Sequence, residues 1–465
     1  MNAVMTTTEN KGNWWSALNG YQKLVFAVAT MAWMFDCLDQ QLFNLARTPA
    51  LNQLIGPDDP ALVKKMAGYM TSVFVLGWAT GGMIFGSLGD RYGRAKMLGI
   101  TVMLYSVATG LSALSTGLID FGIYRFLTGL GVGGVFGLAV ALVSDTLSHE
   151  ARPRALGVLQ SFSAVGNVLA GFIGLGVWAM QAGPGHWKWL FCIGALPALL
   201  TATIQMRVKE PEAWVKARDK AAAEGRKAGS YKDLFSNPTW RKHALLGMVL
   251  SCAGVIGLWG IGVFSTDMVG DIIANNLKVS GGSAAEVASG KQKWMSINLL
   301  CFNVGAFLGM LAFTRVAVNY GRRLAFAIFF TCAAIVTVFV FQKLNTTTDV
   351  LWMAPLMGFF QLSVFAGFSI YLAELFPTSL RSTGVSFCYN VGRYFAAAGP
   401  LTLGALSANM AIKAAEEASK TGADVVLARI DAFRDAASWM CLIFLLGVAV
   451  LPFLPETKGK PLPQD

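Results

Sequence analysis

Twelve stretches of this 465-residue chain are apolar for long enough to cross a bilayer, whose hydrocarbon core takes about 20 residues of helix. They cover residues 24–45, 68–88, 97–114, 121–143, 155–180 and 189–206, then 244–264, 294–313, 324–341, 350–372, 384–406 and 436–453. Backbone in lipid must satisfy its own hydrogen bonds, so runs of this length read as helices. The fold class is therefore an all-α polytopic membrane protein. Composition agrees: 14% of residues are charged, against roughly 25% in a soluble domain. A soluble enzyme, a disordered chain and a disulfide scaffold are excluded. The seven cysteines lie mostly in apolar stretches (Cys192, Cys252, Cys301, Cys332, Cys441) and no Cys-x-x-Cys pair occurs, so they read as reduced. The polar start and the long first apolar run do not read as a cleaved signal.

Six spans lie on each side of one polar stretch. The expected organisation is an N-terminal half (1–206), a linker (207–242) and a C-terminal half (243–465). With both termini inside, 23 Lys and Arg fall on the cytoplasmic side and 12 on the other. That imbalance predicts an N-in, C-in protein of the plasma (bacterial inner) membrane. The net charge of +11 is then a topology signal with attraction to anionic lipid, not a nucleic-acid footprint. Lys216, Arg218, Lys220, Arg226 and Lys227 mark the linker as a surface helix at the inner leaflet. Residues 409–434 read as a solvated helix outside.

The halves echo each other at an offset of 228 residues. Gly77, Gly81 and Phe85 match Gly305, Gly309 and Phe313, and Tyr92-Gly93-Arg94 matches Tyr320-Gly321-Arg322. Asp145 precedes Arg152 by seven residues, as Glu374 precedes Arg381. Paired halves around a midplane site are how secondary transporters are built. The small residues four apart read first as helix packing.

Asp36 and Asp39 are three apart, so a helix puts them on one face. A carboxylate at the bilayer centre costs roughly 2.5–3.5 kcal/mol on insertion scales, so the pair should face a wet cavity or a cation and can carry protons. Arg125 in span four reads as a switchable ion-pair partner of Asp36 or Asp39, or as a side chain snorkelling to the interface. Arg393 in span eleven, beside Asn390, could anchor a carboxylate bidentately or bridge to another helix. Gln160, Asn167, Asn298, Asn303 and Gln361 are candidate site-lining amides. Trp259 follows a glycine-rich segment that could bend. No nucleophile–base set, metal cluster or phosphate-binding loop occurs, so catalytic residues, metal and cofactors are all expected to be none.

The loop after span two reads Gly86-Ser-Leu-Gly89-Asp90-Arg91-Tyr92-Gly93-Arg94-Ala95-Lys96. It resembles the signature loop of the major facilitator superfamily. Arg125-Phe-Leu-Thr-Gly129-Leu-Gly131, Glu374-Leu-Phe-Pro377-Thr-Ser-Leu-Arg381 and the tail Pro455-Glu456-Thr457-Lys458-Gly459 are similar to further motifs of that superfamily, the tail being of the sugar-porter type. Asp36-Cys37-Leu38-Asp39 resembles the Asp-Gly-x-Asp pattern of its proton-coupled aromatic acid and sialate symporters, with Cys37 in place of glycine. The resemblance implies twelve helices in two pseudo-symmetric six-helix bundles. It implies a conformational lock from Gly86, Asp90, Arg91, Gly93, Arg94, Asp145, Arg152, Glu374 and Arg381.

The expected function is secondary active transport of a small organic acid (a monocarboxylate, aromatic acid or sugar acid) with protons, by alternating access. Asp36, Asp39 and Arg125 would couple protons; Arg393, Asn390, the amides and Trp259 would bind substrate. The alternative is a sugar or neutral-metabolite porter. The expected partners are a small-molecule substrate, protons and the lipid bilayer, with no nucleic acid, in a protein that functions as a monomer.

Overall fold

The computed structural model describes residues 14–56, 60–180, 185–258, 263–421 and 425–464. These are almost all helical, with no strand among them. The first five spans lie on α1 (Gly20–Ile55), α2 (Pro60–Tyr92), α3 (Arg94–Ser112), α4 (Leu118–Thr146) and α5 (Arg152–Ala179). Span six is α6 (His186–Gly194) plus α7 (Ala198–Arg207), and the linker forms α8 (Glu212–Ala223) and α9 (Tyr231–Ser236). Span seven enters on α10 (Pro238–Gly257) and continues into α11 (Val263–Val279). Spans eight and nine are α12 (Ala284–Tyr320) and α13 (Arg322–Lys343). Span ten is α14 (Thr347–Gln361) plus α15 (Ser363–Glu374), span eleven α16 (Arg381–Thr421), and span twelve α17 (Val425–Met440) plus α18 (Leu442–Val450).

Local chemistry sets several of these boundaries. Capping boxes start α1 (Asn19 with Gln22), α12 (Ser283 with Glu286) and α14 (Thr346 with Asp349), each satisfying N–H groups that the first turn leaves open. Pro197 has no N–H and divides span six; next to it Leu196 and Leu199 bond three residues back, at 3.1 and 3.0 Å.

Two boundaries correct the sequence-based expectation. The signature stretch is not a loop: α2 runs through Tyr92, α3 starts at Arg94, and Gly93 alone separates them with φ 120°. Only glycine takes that conformation without strain. Gly321, φ 117°, does the same between α12 and α13. Residues 409–434 are not one separate helix either: α16 continues without a break to Thr421, and α17 follows.

Among the described residues, nine helical stretches are long and apolar enough to cross a membrane. Spans one, seven and eleven fall outside that set. Span one carries Asp36, Asp39, Gln40, Gln41 and Asn44; such side chains are costly in lipid and lower the apolarity of that helix, while span eleven includes residues whose side chains lie outside the described set. Span seven is divided by residues outside the described set.

The sequence repeat is a packing repeat. Gly77 and Gly81 lie against the backbone carbonyls of Phe126 and Leu130 on α4, and Gly305 and Gly309 against those of Pro355 and Phe359 on α14. A Cβ at any of the four would collide with backbone, so each glycine permits close approach of two helices. Across the molecule, α2 packs along α16, and α5 packs along α12.

Candidate substrate and coupling site

Asp36 and Asp39 sit one turn apart on α1, each 1% exposed. None of their four carboxylate oxygens has a well-formed hydrogen bond. Buried polar groups are nearly always paired, so orphaned carboxylates inside a span mark a place for a proton, water or ligand. The two face different partners. Asp39 faces Arg125 and the Thr109 hydroxyl within the first six spans, while Asp36 faces Arg393 of span eleven. Gly194 makes room for Asp39: a Cβ there would stand 2.8 Å from its Oδ1.

Arg125 does not snorkel; it is fully buried. Its Nε and Nη2 donate to Ser112 Oγ (3.1 and 2.5 Å), and Nη2 also to Thr128 Oγ1 (3.0 Å). Phe191 lies 4.6 Å and Phe43 5.3 Å from its Cζ. Hydroxyls and ring faces hold the cation beside Asp39 without a direct bridge, and Nη1 is left without a partner.

Arg393 is 2% exposed. Its Nη1 donates to the Tyr389 carbonyl (2.7 Å) and to Asn390 Oδ1 (3.0 Å), while Nε has no partner. Around it lies an aromatic floor: Tyr389 stacks on Phe136 of α4 at 3.9 Å, and Trp33 of α1 is 5.0 Å from Phe136. Asp36 is one turn beyond Trp33 and Arg393 one turn beyond Tyr389, so both rise from the same floor.

The other amides do not converge on Arg393. Asn167 of α5 donates to Asn303 Oδ1 of α12 (2.8 Å). Asn298 donates to Thr266 (3.2 Å). Gln361 donates from its amide nitrogen to Thr337 on α13 (2.7 Å), and its carbonyl oxygen is unpartnered. Gln160 is buried with its carbonyl oxygen unpartnered. Trp259 lies outside the described residues.

At the opposite end of α2, Asp90 accepts from the N–H groups of Ser382 (3.1 Å) and Thr383 (2.8 Å) and from the Thr383 hydroxyl (2.7 Å). These are the first N–H groups of α16, where a carboxylate is favoured. Arg94 bridges Asp90 (3.1 Å), Asp145 and the Thr378 carbonyl (2.6 Å). Arg381 also pairs with Asp145, tying α16 to α4. Gly86 lies against Ser386 of α16, where a side chain would collide. Three expected members make other contacts. Arg91 is exposed over the Tyr92 ring (5.2 Å), because one step past Asp90 turns it off the inner face. Arg152 bonds the carbonyls of Ser144 (2.7 Å) and Leu147 (3.2 Å), with Arg381 and Glu374 as its charged neighbours. Glu374 pairs bidentately with Arg322 (3.0 and 2.8 Å) and not with Arg381.

Two glutamates cap the helices that follow the positive-φ glycines. Glu210 accepts from Arg94, Ala95 and Lys96 N–H (2.7, 3.2 and 2.9 Å) at the start of α3. Glu456 accepts from Arg322 and Arg323 N–H (both 3.0 Å) at the start of α13 and from Thr457 and Lys458 N–H (both 2.9 Å). Burial pushes the Glu456 carboxyl up, but these N–H donors outweigh it and hold it below the usual glutamate range.

Residues 29–400 match the family described as the Major Facilitator Superfamily. The chain belongs to that superfamily. It is 28% identical over 448 residues to the probable 4-methylmuconolactone transporter of Cupriavidus pinatubonensis, covering 96% of this chain and 93% of that one. It is 26% identical over 394 residues to the cis,cis-muconate transport protein of Acinetobacter baylyi, covering 84% and 89%. Its fold is similar to that of the proton:xylose symporter XylE, with a TM-score of 0.70 at 16% identity over 95% of this chain and 98% of that one. The architecture is therefore that of a major facilitator, twelve spanning helices in two pseudo-symmetric bundles of six. The protein is an integral membrane transporter and not an enzyme.

The rings around the charged groups, Trp33, Trp78, Phe136 and Tyr389, carry no signal in the sequence. An aromatic in an apolar span looks the same whether it faces lipid, core or cavity. Tyr105, fully buried with an unpartnered hydroxyl, is hidden for the same reason.

Proposed function

We propose that this major facilitator moves a small organic acid together with protons by alternating access, its halves (1–206 and 243–465) rocking about the Asp36–Arg393 region on the linker 207–242. The observation that carries the reading is Arg393: a buried guanidinium with Nη1 spent on its own helix and Nε unpartnered. A cation so held is matched by a carboxylate, which takes two parallel N–H donors from one guanidinium edge. The neighbouring rings favour a flat, conjugated acid, and the muconate-named relative is in keeping with that. Asp39, beside Arg125, would hold the transported proton, and Asp36 would face Arg393 when no acid is bound. The Asp90–Asp145–Arg381 network would close the cytoplasmic side, with both termini on that side and one chain as the working unit.

The test is uptake into proteoliposomes with and without an imposed pH gradient, using labelled benzoate, nicotinate, cis,cis-muconate, glucose and xylose. Gradient-driven accumulation of at least one acid is expected. Acid uptake indifferent to the gradient would remove proton coupling, and uptake of sugars alone would replace the acid reading with the sugar-porter one.

A further inference from the structure

We infer that Trp78 of α2 is a positioning residue for the Arg393 guanidinium, and that through it the readiness of the acid site depends on α2 and α16 being packed together. The inference rests on Arg393 being the acid anchor and adds what holds it.

Arg393 Cζ lies 4.1 Å from the Trp78 ring centroid and 4.2 Å from that of Tyr389. Two aromatic rings, one from each bundle, therefore lie within cation–π distance of the guanidinium. Tyr389 belongs to its own helix, one turn back. Trp78 comes from α2, in the other six-helix bundle. Two ring faces fix the plane of the group, and the Nη1 bonds to the Tyr389 carbonyl and Asn390 fix its rotation in that plane. What remains without a partner is Nε, a donor open to a carboxylate oxygen. Cation–π contact is strongest when water is excluded, and Trp78 is only 4% exposed.

Trp78 is itself held from behind. Its ring is 5.7 Å from Phe74, which is 5.4 Å from Phe43, and Phe43 is one of the faces on Arg125. The indole thus cannot follow Arg393 if α16 moves away. Further contacts between the same two helices lie on either side: Thr80 Oγ1 meets the Tyr394 hydroxyl at 3.0 Å, and the Asn390 side chain fills the space over Gly82. When α2 and α16 separate, Arg393 keeps Tyr389 and loses the indole. The side it covered is then open to water and the plane is free to tilt. The acid accordingly binds more tightly in the packed state, and by linkage a bound acid favours that packing.

Two readouts on Trp78→Leu and Trp78→Phe test this. The first is the KM and Vmax of whichever acid the proteoliposome panel shows to be carried. The second is the rate of phenylglyoxal labelling of Arg393 in the detergent-solubilised full chain, read by peptide mass spectrometry, which needs no known substrate. For Trp78→Leu we expect KM to rise about tenfold with Vmax held within about twofold, and labelling to become about fivefold faster. Trp78→Phe, which keeps a ring face, should bring both back to within about twofold of wild type. An unchanged labelling rate in Trp78→Leu overturns the inference, as does a labelling rate in Trp78→Phe as fast as in Trp78→Leu. Faster labelling with an unchanged KM leaves Trp78 sheltering Arg393 but removes Arg393 as the acid anchor, which separates failure of the underlying reading from failure of this one.

Discussion

The carboxylate of Asp90 on α2 takes both the backbone N–H and the hydroxyl of Thr383 on α16, at 2.8 and 2.7 Å. With the Ser382 N–H on its other oxygen, one side chain caps a helix of the opposite bundle. The second repeat has Val318 at the equivalent position, so this tie has no counterpart there, although the Arg94–Asp145 pair and the Glu210 cap recur as Arg322–Glu374 and the Glu456 cap.

Asp90→Asn should weaken that tie. A hydrogen bond to a charged group is worth about 1.5–3 kcal/mol, so the population open on this side should rise roughly tenfold or more. The measurement is maleimide labelling of Ser386→Cys, a position facing Gly86 and Gly137, in inside-out vesicles. Labelling at the parental rate in a folded Asp90→Asn protein would show that the contact does not hold the two bundles together.

Arg393→Gln should raise the KM for an acid at least about tenfold, since truncating one side of a buried charge contact costs roughly 2–5 kcal/mol. A neutral amide of the same acid, if carried, should be affected less than about threefold. Arg393→Lys keeps the charge but loses the planar fork and should fall between. Equal loss for acid and amide would move Arg393 from recognition to structure.

Asp39→Asn should abolish uphill, gradient-driven uptake while substrate exchange across the membrane continues, and Asp39→Glu should retain part of the uptake. Asp39 lies with Arg125 and Thr109, apart from the Asp36–Arg393 side of the site, so losing its charge should spare acid binding. Full accumulation by Asp39→Asn vesicles would rule out this carboxylate as the proton carrier.

Glu456→Gln tests the tail cap on α13. Because the folded carboxyl sits below its usual range, its stabilisation is complete above the unfolded value of about 4.3 and is lost as pH falls through the lower folded value. The variant should be less stable by about 1 kcal/mol at neutral pH, a modest figure because the group is half-exposed. Thermal unfolding in detergent should show that gap closing as pH drops below about 4. A gap that stays constant with pH would assign the loss to packing instead.

Much of the fold was legible in one dimension. Bilayer thickness sets span length, so twelve apolar runs could be counted directly. Three-residue spacing put Asp36 and Asp39 on one face, and the repeat of Gly77, Gly81 and Arg94 at Gly305, Gly309 and Arg322 signalled a duplicated packing unit. Local rules did less well at the signature stretch, where charged residues look like a loop yet continue two helices around Gly93.

The choice of partners was decided only in three dimensions. Asp145 and Arg152 look like a local pair seven residues apart, but Asp145 meets Arg94 and Arg381, while Arg152 turns to backbone carbonyls. Arg393 gains its second aromatic face from Trp78, more than three hundred residues earlier in the chain. Sequence by itself determines how much of each helix lipid can tolerate, because transfer free energy depends on residue type. Which ionisable groups share a cavity depends on how α1, α2, α4 and α16 cross, and that is settled by close approach at glycines and by charges that have no water to turn to.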